Sequence, residues 1–152
     1  MNKITAFVKI FTNDEIKSIS KIGGRYYLVS QELLDFRNKI SENPFNIGVF
    51  LGEEKKDFKP SLALLEILAR KTHKKISVNE KSEWLFLCGR DIFEEGLINA
   101  DNIKKFEEGS FVLVQNKNDE NLGMGRIEIK NAQTVIKNII DRGNFLRREK
   151  QK

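Results

Sequence analysis

Trp84-Leu85-Phe86-Leu87-Cys88-Gly89-Arg90-Asp91-Ile92 is the stretch from which the fold is read. The aromatic and apolar run over residues 84–87 predicts a short strand. Residues 90–95 predict a small helix stopped by Gly96, because glycine accepts the left-handed geometry of a helix end. Downstream, residues 110–115 form an apolar strand and residues 116–121 a polar turn. Residues 123–129 return as the partner strand, with Ile127 and Ile129 alternating against Arg126, Glu128 and Lys130. Residues 135–140 are a last strand and residues 143–148 a terminal turn or short helix, so the second half reads mostly as strand.

Toward the N-terminus, residues 12–21 predict a helix, with Thr12 and Glu15 as a capping box, Ile16 and Ile19 as its apolar stripe and Gly23-Gly24 as its end. Residues 25–29 are a strand. Ser30 caps a second helix that runs to about Ile40, with Leu33, Leu34 and Phe36 toward the core. Asn43-Pro44 breaks it, residues 46–51 give another strand and residues 52–57 a charged turn. Pro60 suits the start of a helix over residues 61–71, with Leu62, Leu65, Leu68 and Ala69 on one face. Residues 75–78 form a strand, and the polar connection 79–82 sets a domain boundary near residue 80. The fold class is therefore α+β in two small domains: 1–80, an α/β domain of antiparallel strands with helices, and 81–152.

The 152 residues suffice for a real core, and 39% hydrophobic with 32% charged residues is a globular composition. Net charge is +5, but its distribution says more than its sum. Between Gly123 and Lys152 stand eight basic residues (Arg126, Lys130, Lys137, Arg142, Arg147, Arg148, Lys150, Lys152) against three acids (Glu128, Asp141, Glu149), and the rest of the chain balances. Such a segment favours polyanionic partners. The single cysteine, Cys88, excludes an intrachain disulfide and suits a reducing cytoplasm. The N-terminus has no apolar run long enough for a signal peptide, and nothing approaches the roughly 20 residues that cross a membrane.

The candidate ligand-contacting residues are cations. Arg147 and Arg148, with Arg142 before them and Lys150 and Lys152 after, form a terminal cluster able to hold phosphates without reading sequence. Read blandly, the same cluster is a solvated tail. Arg126 and Lys130 share a strand face at period two, and Arg90 opens the small helix; each is equally well an ordinary surface charge. Arg70, Lys71, Lys74 and Lys75 suit a helix C-terminus through the dipole alone. Gly123-Met124-Gly125 is no nucleotide loop, because a strand rather than a helix follows it; glycines there mark a bulge or a close backbone approach. Tyr26, Tyr27 and Trp84 are expected in the core, Cys88 as a small buried hydrophobe. His73 has no acid or base partner. No catalytic residue, metal ligand or cofactor is expected.

The second half resembles a PUA domain, a small pseudo-barrel named from pseudouridine synthases and archaeosine transglycosylases. The residues that carry this are Phe86-Leu87-Cys88-Gly89-Arg90-Asp91-Ile92, Gly96-Leu97-Ile98, Glu108-Gly109-Ser110-Phe111-Val112-Leu113-Val114, Leu122-Gly123-Met124-Gly125-Arg126 and the ending from Ile139 to Arg148. One departure is Gly109-Ser110, where many PUA domains have Gly-Asp. The first half, through Arg25-Tyr26-Tyr27-Leu28-Val29-Ser30 and Phe58-Lys59-Pro60-Ser61-Leu62-Ala63-Leu64-Leu65, is similar to the Nip-seven family of ribosome-biogenesis factors, in its archaeal form. The resemblance implies a C-terminal PUA pseudo-barrel and a non-catalytic RNA-binding factor in large-subunit ribosome assembly and pre-rRNA processing. It implies single-stranded, uridine-rich RNA as partner and an RNA groove walled by the helix at Arg90; other assembly factors are further candidate partners through the N-terminal domain, which the near-neutral charge of that half suits. Two alternatives stay open. One is an RNA-modification enzyme or its PUA-bearing accessory subunit, although the first 80 residues hold no glycine-rich cofactor loop. The other is a protein-interaction adaptor.

Overall fold

Asn2 opens the first helix: its side-chain oxygen accepts from the Thr5 backbone N–H at 2.9 Å. Ile4, Phe7, Val8 and Phe11 then recur at helical spacing on the buried side of α1 (Lys3–Phe11). In this computed structural model, which describes residues 1–41 and 47–149, the chain forms two compact units, Met1–Lys71 and Thr72–Lys152.

The helix expected over residues 12–21 does not form. Thr12 is the C-cap of α1, and its hydroxyl accepts from the Asp14 N–H at 3.1 Å, a local turn that competes with helix. Ile19–Ile22 is instead strand β1, which turns through Gly23 and Gly24 (φ 53° and 83°) into β2 (Arg25–Leu28). Two successive left-handed residues match the twist of a hairpin, so the glycine pair is a strand turn rather than a helix stop.

Ser30 caps α2 (Gln31–Lys39) as expected, its hydroxyl oxygen accepting from Leu33 N–H at 3.3 Å. Yet no residue of α2 is buried. Leu34 packs partly against Tyr27, Val29 and Ile47, while Leu33 and Phe36 are exposed. At about 100° per residue, neither shares the face of Leu34. The expected break at Asn43-Pro44 and the start of the strand expected from residue 46 lie outside the described residues. Strand β3 (Val49–Glu54) runs through the first half of the expected charged turn, and β4 (Phe58–Pro60) ends at the proline expected to open a helix. Ser61 caps α3 (Leu62–Ala69), which buries Leu64, Leu65, Leu68 and Ala69. The four strands form an antiparallel sheet in the order β1-β2-β3-β4.

Glu54 is the polar hub of this unit. It accepts from the Tyr26 hydroxyl at 2.6 Å and from Lys21 Nζ at 2.9 Å. Lys3 Nζ stands 3.7 Å away and donates to the Lys55 and Lys56 carbonyls. Thus α1 is tied to the β3–β4 turn beside a run of tilted and edge-to-face aromatic contacts, Phe11–Phe7–Phe58–Tyr26.

The second unit begins with β5 (Lys75–Ser77), which pairs in parallel with a later strand. That pairing draws the unit's start to Thr72, whereas the boundary expected near residue 80 falls inside it. The strand expected over residues 84–87 is a helix, α4 (Glu80–Leu87). Asn79 accepts from Ser82 N–H at 2.9 Å, and Glu80 and Glu83 occupy the first turn, where the helix dipole favours them. Ser82 and Phe86 take the buried positions at i and i+4. Trp84 falls on the opposite side and is 66% exposed, so it is no core residue, while Tyr26 and Tyr27 are, at 1% each. Cys88 is exposed rather than buried.

The helix expected over residues 90–95 reduces to β6 (Ile92–Phe93) and one 3-10 turn, Glu94–Gly96; a second such turn spans Ala100–Lys105. Then β7 (Phe111–Gln115), β8 (Asn121–Lys130), β9 (Gln133–Asp141) and α5 (Gly143–Glu149) follow, close to expectation. The sheet order is β5-β7-β8-β9-β6, antiparallel beyond the β5–β7 pair. Its core includes Ile76, Val78, Phe86, Ile92, Val112, Val114, Ile127 and Ile136. The architecture is α+β, an antiparallel sheet with helices followed by a half-barrel. Among the described residues, no helix is long and apolar enough to cross a membrane.

The Tyr26 hydroxyl, then Lys21, holds the Glu54 carboxyl down from 4.5 to about 2. A depressed carboxyl contributes stability above its unfolded value and loses it as pH falls through the folded one. Glu54→Gln should therefore melt below wild type at pH above 4.5, with the gap closing as pH falls toward 2. Near-ultraviolet tyrosine dichroism follows this unit, because Tyr26 and Tyr27 are the only two tyrosines.

Candidate nucleic-acid interface

Alternation along β8 turns Ile127 into the core and Arg126, Glu128 and Lys130 outward. The β8–β9 register sets Lys137 opposite Arg126 and Val135 opposite Glu128. Directly paired residues share a face, so Lys137 joins the outer row. Glu128 sits at the centre, with Arg126 Nη2 at 2.7 Å, Lys130 Nζ at 3.4 Å and Lys137 Nζ at 3.9 Å. Lys130 also lies 3.7 Å from Asp91. The hydrogen bond from Arg126 leads in lowering the Glu128 pKa, against a partial burial that raises it. All three cations are between 39 and 50% exposed in their side chains, which leaves them open to a ligand.

Arg90 is exposed and adjoins this ring through Asp91. Its position is fixed from β9. Asn138 donates from its side chain to the Phe86 carbonyl at 2.8 Å, and its backbone N–H donates to Asp91 Oδ1 at 2.9 Å.

Arg147 behaves differently from its neighbours. Nη1 and Nη2 each donate to one oxygen of Asp141 at 2.9 Å, and Nη1 also donates to the Leu87 carbonyl at the end of α4. Asp141 is only 4% exposed. The bidentate pair, led by the Asp141 hydrogen bond, raises the Arg147 pKa. Gly143 completes the junction, since a Cβ there would run into the Leu87 carbonyl. The guanidinium expected to grip phosphate thus fastens α5 to α4 and β9.

Arg148 and Arg142 are exposed at the two ends of α5, and the Arg142 backbone N–H donates to the Leu122 carbonyl at 2.9 Å. Lys150 and Lys152 lie outside the described residues. The six expected residues that are described therefore separate. Arg126 and Lys130 gather around Glu128, Arg90 precedes Asp91 in the chain and is exposed, and Arg142, Arg147 and Arg148 belong to the α5 region. Lys137 was legible only through the hairpin register. Lys71, expected at a helix C-terminus, pairs with Asp14 at 2.9 Å.

The close approach expected at Gly123-Met124-Gly125 comes from the protein itself: a Cβ at Gly123 would strike the Ile140 carbonyl and one at Gly125 the Ile136 side chain. Charge, too, is arranged differently from an even balance. Residues 1–71 carry twelve Lys/Arg against nine Asp/Glu, and residues 72–122 carry seven against ten.

Removing Arg147 leaves a buried carboxylate without its partner. Arg147→Ala should lower the stability of the second unit by about 2 kcal/mol. Arg147→Lys should recover only part of this, because an ammonium cannot reproduce the two parallel hydrogen bonds. Urea unfolding followed by emission of Trp84, the only tryptophan, measures both; Arg148→Ala should leave the curve in place.

Comparison with known proteins agrees with this architecture. A UPF0113 protein of Archaeoglobus fulgidus is 38% identical over 116 residues, 71% of this chain, and the chain spans 65% of that relative's length. A conserved PUA domain protein from Thermoplasma acidophilum has the same fold, with a TM-score of 0.61 over 98% of this chain and 96% of that one at 16% identity. The family model of the UPF0113 PUA domain matches residues 74–150, just over half the chain and nearly all of the second unit. With its half-barrel of β5 to β9 and the closing helix α5, the chain belongs to the UPF0113 PUA domain family.

Proposed function

We propose that this protein is a non-catalytic RNA-binding factor of the Nip-seven type, acting in the cytoplasm on pre-rRNA during assembly of the large ribosomal subunit. The observation that carries the reading is the ring of Arg126, Lys130 and Lys137 around Glu128 on the outer face of a PUA half-barrel. Half-exposed ion pairs contribute little to stability. Their cations can turn toward a phosphate at small cost, and each one neutralised releases condensed counterions from the RNA. Arg90, Arg142 and Arg148 are exposed cations outside this ring and stay candidates for further phosphate contacts. The resemblance in the first half supports the assembly role and a preference for uridine-rich single strands.

A second reading is compatible with the first. Leu33, Phe36 and Ile40 recur at i, i+3 and i+7 on and just past α2, and all three are exposed. An apolar stripe of this spacing suits docking onto another assembly factor.

Filter binding of single-stranded RNA across a salt series tests the main reading. With about four phosphates engaged, log affinity should fall against log salt with a slope near −3. Alanine at Arg126, Lys130 and Lys137 together should flatten that slope by about 2 and weaken all sequences alike. An unchanged slope would remove the ring from the interface, and appearance of modified bases in the RNA would favour the enzyme alternative.

A further inference from the structure

The same sheet face carries an aromatic ring that the charge argument does not use. Phe93 pairs with Val135, and Val135 pairs with Glu128. These three side chains therefore form one cross-strand row on the outer face, directly beside the row of Arg126 and Lys137. Val135 is 1% exposed, yet Phe93 at the sheet edge is 51% exposed. Asp91, two residues earlier in the chain, is the second carboxylate that Lys130 approaches, at 3.7 Å. Phe93 thus stands in the row beside the cation ring, half exposed on the edge strand of the sheet. Trp84 is more exposed still, but it lies on α4 opposite Ser82 and Phe86, where no strand register brings it beside the ring.

We propose that Phe93 is a stacking platform for an unpaired base whose flanking phosphates are held by Lys130, Lys137 and Arg126. This rests on the RNA-binding reading and narrows it. A duplex keeps its base faces stacked internally, so a ring that offers an open face selects single strands or flipped-out bases. Stacking needs no base-edge hydrogen bond and is therefore tolerant of sequence. The work is divided: the cations supply a salt-dependent attraction common to all strands, and Phe93 adds a salt-independent increment that requires a base.

The test uses the full chain and three labelled probes of equal length: a mixed-sequence single-stranded RNA, the same ribose-phosphate strand without bases, and an RNA duplex. Anisotropy titrations are run across a salt series. Phe93→Ala should weaken the single-stranded RNA about tenfold at every salt concentration without altering the slope. Its binding to the abasic strand and the duplex should match wild type, and Phe93→Tyr should restore the loss. Trp84 emission and a thermal melt verify that the variants are folded. If Phe93→Ala binds the single strand as wild type does, or loses the abasic strand equally, the platform is refuted while RNA binding stands, and the exposed ring is then assigned to a protein contact. If wild type binds none of the three probes, the RNA reading falls, and the platform with it.

Discussion

The pairing of β8 with β9 is the constraint on which the candidate surface depends. A strand shifted by one residue turns every side chain to the opposite face. Here a slip would bury Arg126, Glu128 and Lys130 and expose Ile127. Two features pin the register. The turn residues Asn131 and Ala132 both take positive φ, 50° and 60°, which matches the tight hairpin twist and sets Lys130 opposite Gln133. At the other end, β9 crosses Gly123 and Gly125 so closely that the Ile140 carbonyl and the Ile136 side chain occupy the space of a Cβ. Between these points lies the bulge at Met124/Gly125. The core row Ile127–Ile136–Ile92 and the outer row Glu128–Val135–Phe93 follow from one alignment.

Two ion-pair systems in the second unit show how burial of the carboxylate decides what a cation can do. Glu128 retains some exposure, and its three partners are half in water. Exchanging such a pair for a phosphate trades one solvated contact for another. Asp141 is closed off, and Arg147 meets it with two parallel hydrogen bonds while also satisfying a carbonyl at the end of α4. Releasing that guanidinium would strand a buried charge, which costs far more than a surface pair returns. Adjacent arginines in the sequence therefore divide their roles: Arg147 holds α5 in place, and Arg148 remains exposed on the same helix.

Much of this was legible in the sequence where local chemistry and tertiary packing agree. The strands over β7, β8 and β9 alternate clearly, and Ser30 and Ser61 cap the helices they precede. The misreadings came where two local signals competed. Thr12 and Glu15 look like a capping box, but the apolar stripe at helical spacing lies one segment earlier, from Ile4 to Phe11. Residues 84–87 have the composition of a strand, yet Asn79 nucleates a helix that needs only Ser82 and Phe86 inward. Lys137 was invisible as a site residue because Asn131-Ala132 lacks the glycine that usually marks such a turn, and without the turn the register cannot be assigned. The bond that diverts Arg147 joins Leu87 and Asp141 across 60 and 6 residues, a pairing no local pattern encodes.

Net charge is a poor guide to this surface. The second unit as a whole is nearly balanced, with fifteen Lys/Arg against thirteen Asp/Glu. Its polarity arises from sorting. Glu80 pairs with Lys117, and Glu83 and Glu120 both accept from Asn116, so acids from the first turn of α4 and the β7–β8 turn are drawn together. Separately, the alternation of β8 and β9 places Arg126, Lys130 and Lys137 on one face with a single carboxylate at their centre. A nearly neutral domain can in this way present a cationic face to a polyanion while its acids serve as internal ties. The separation is produced by strand period and pairing rather than by an excess of basic residues, so it survives changes in total charge and fails only if the register fails.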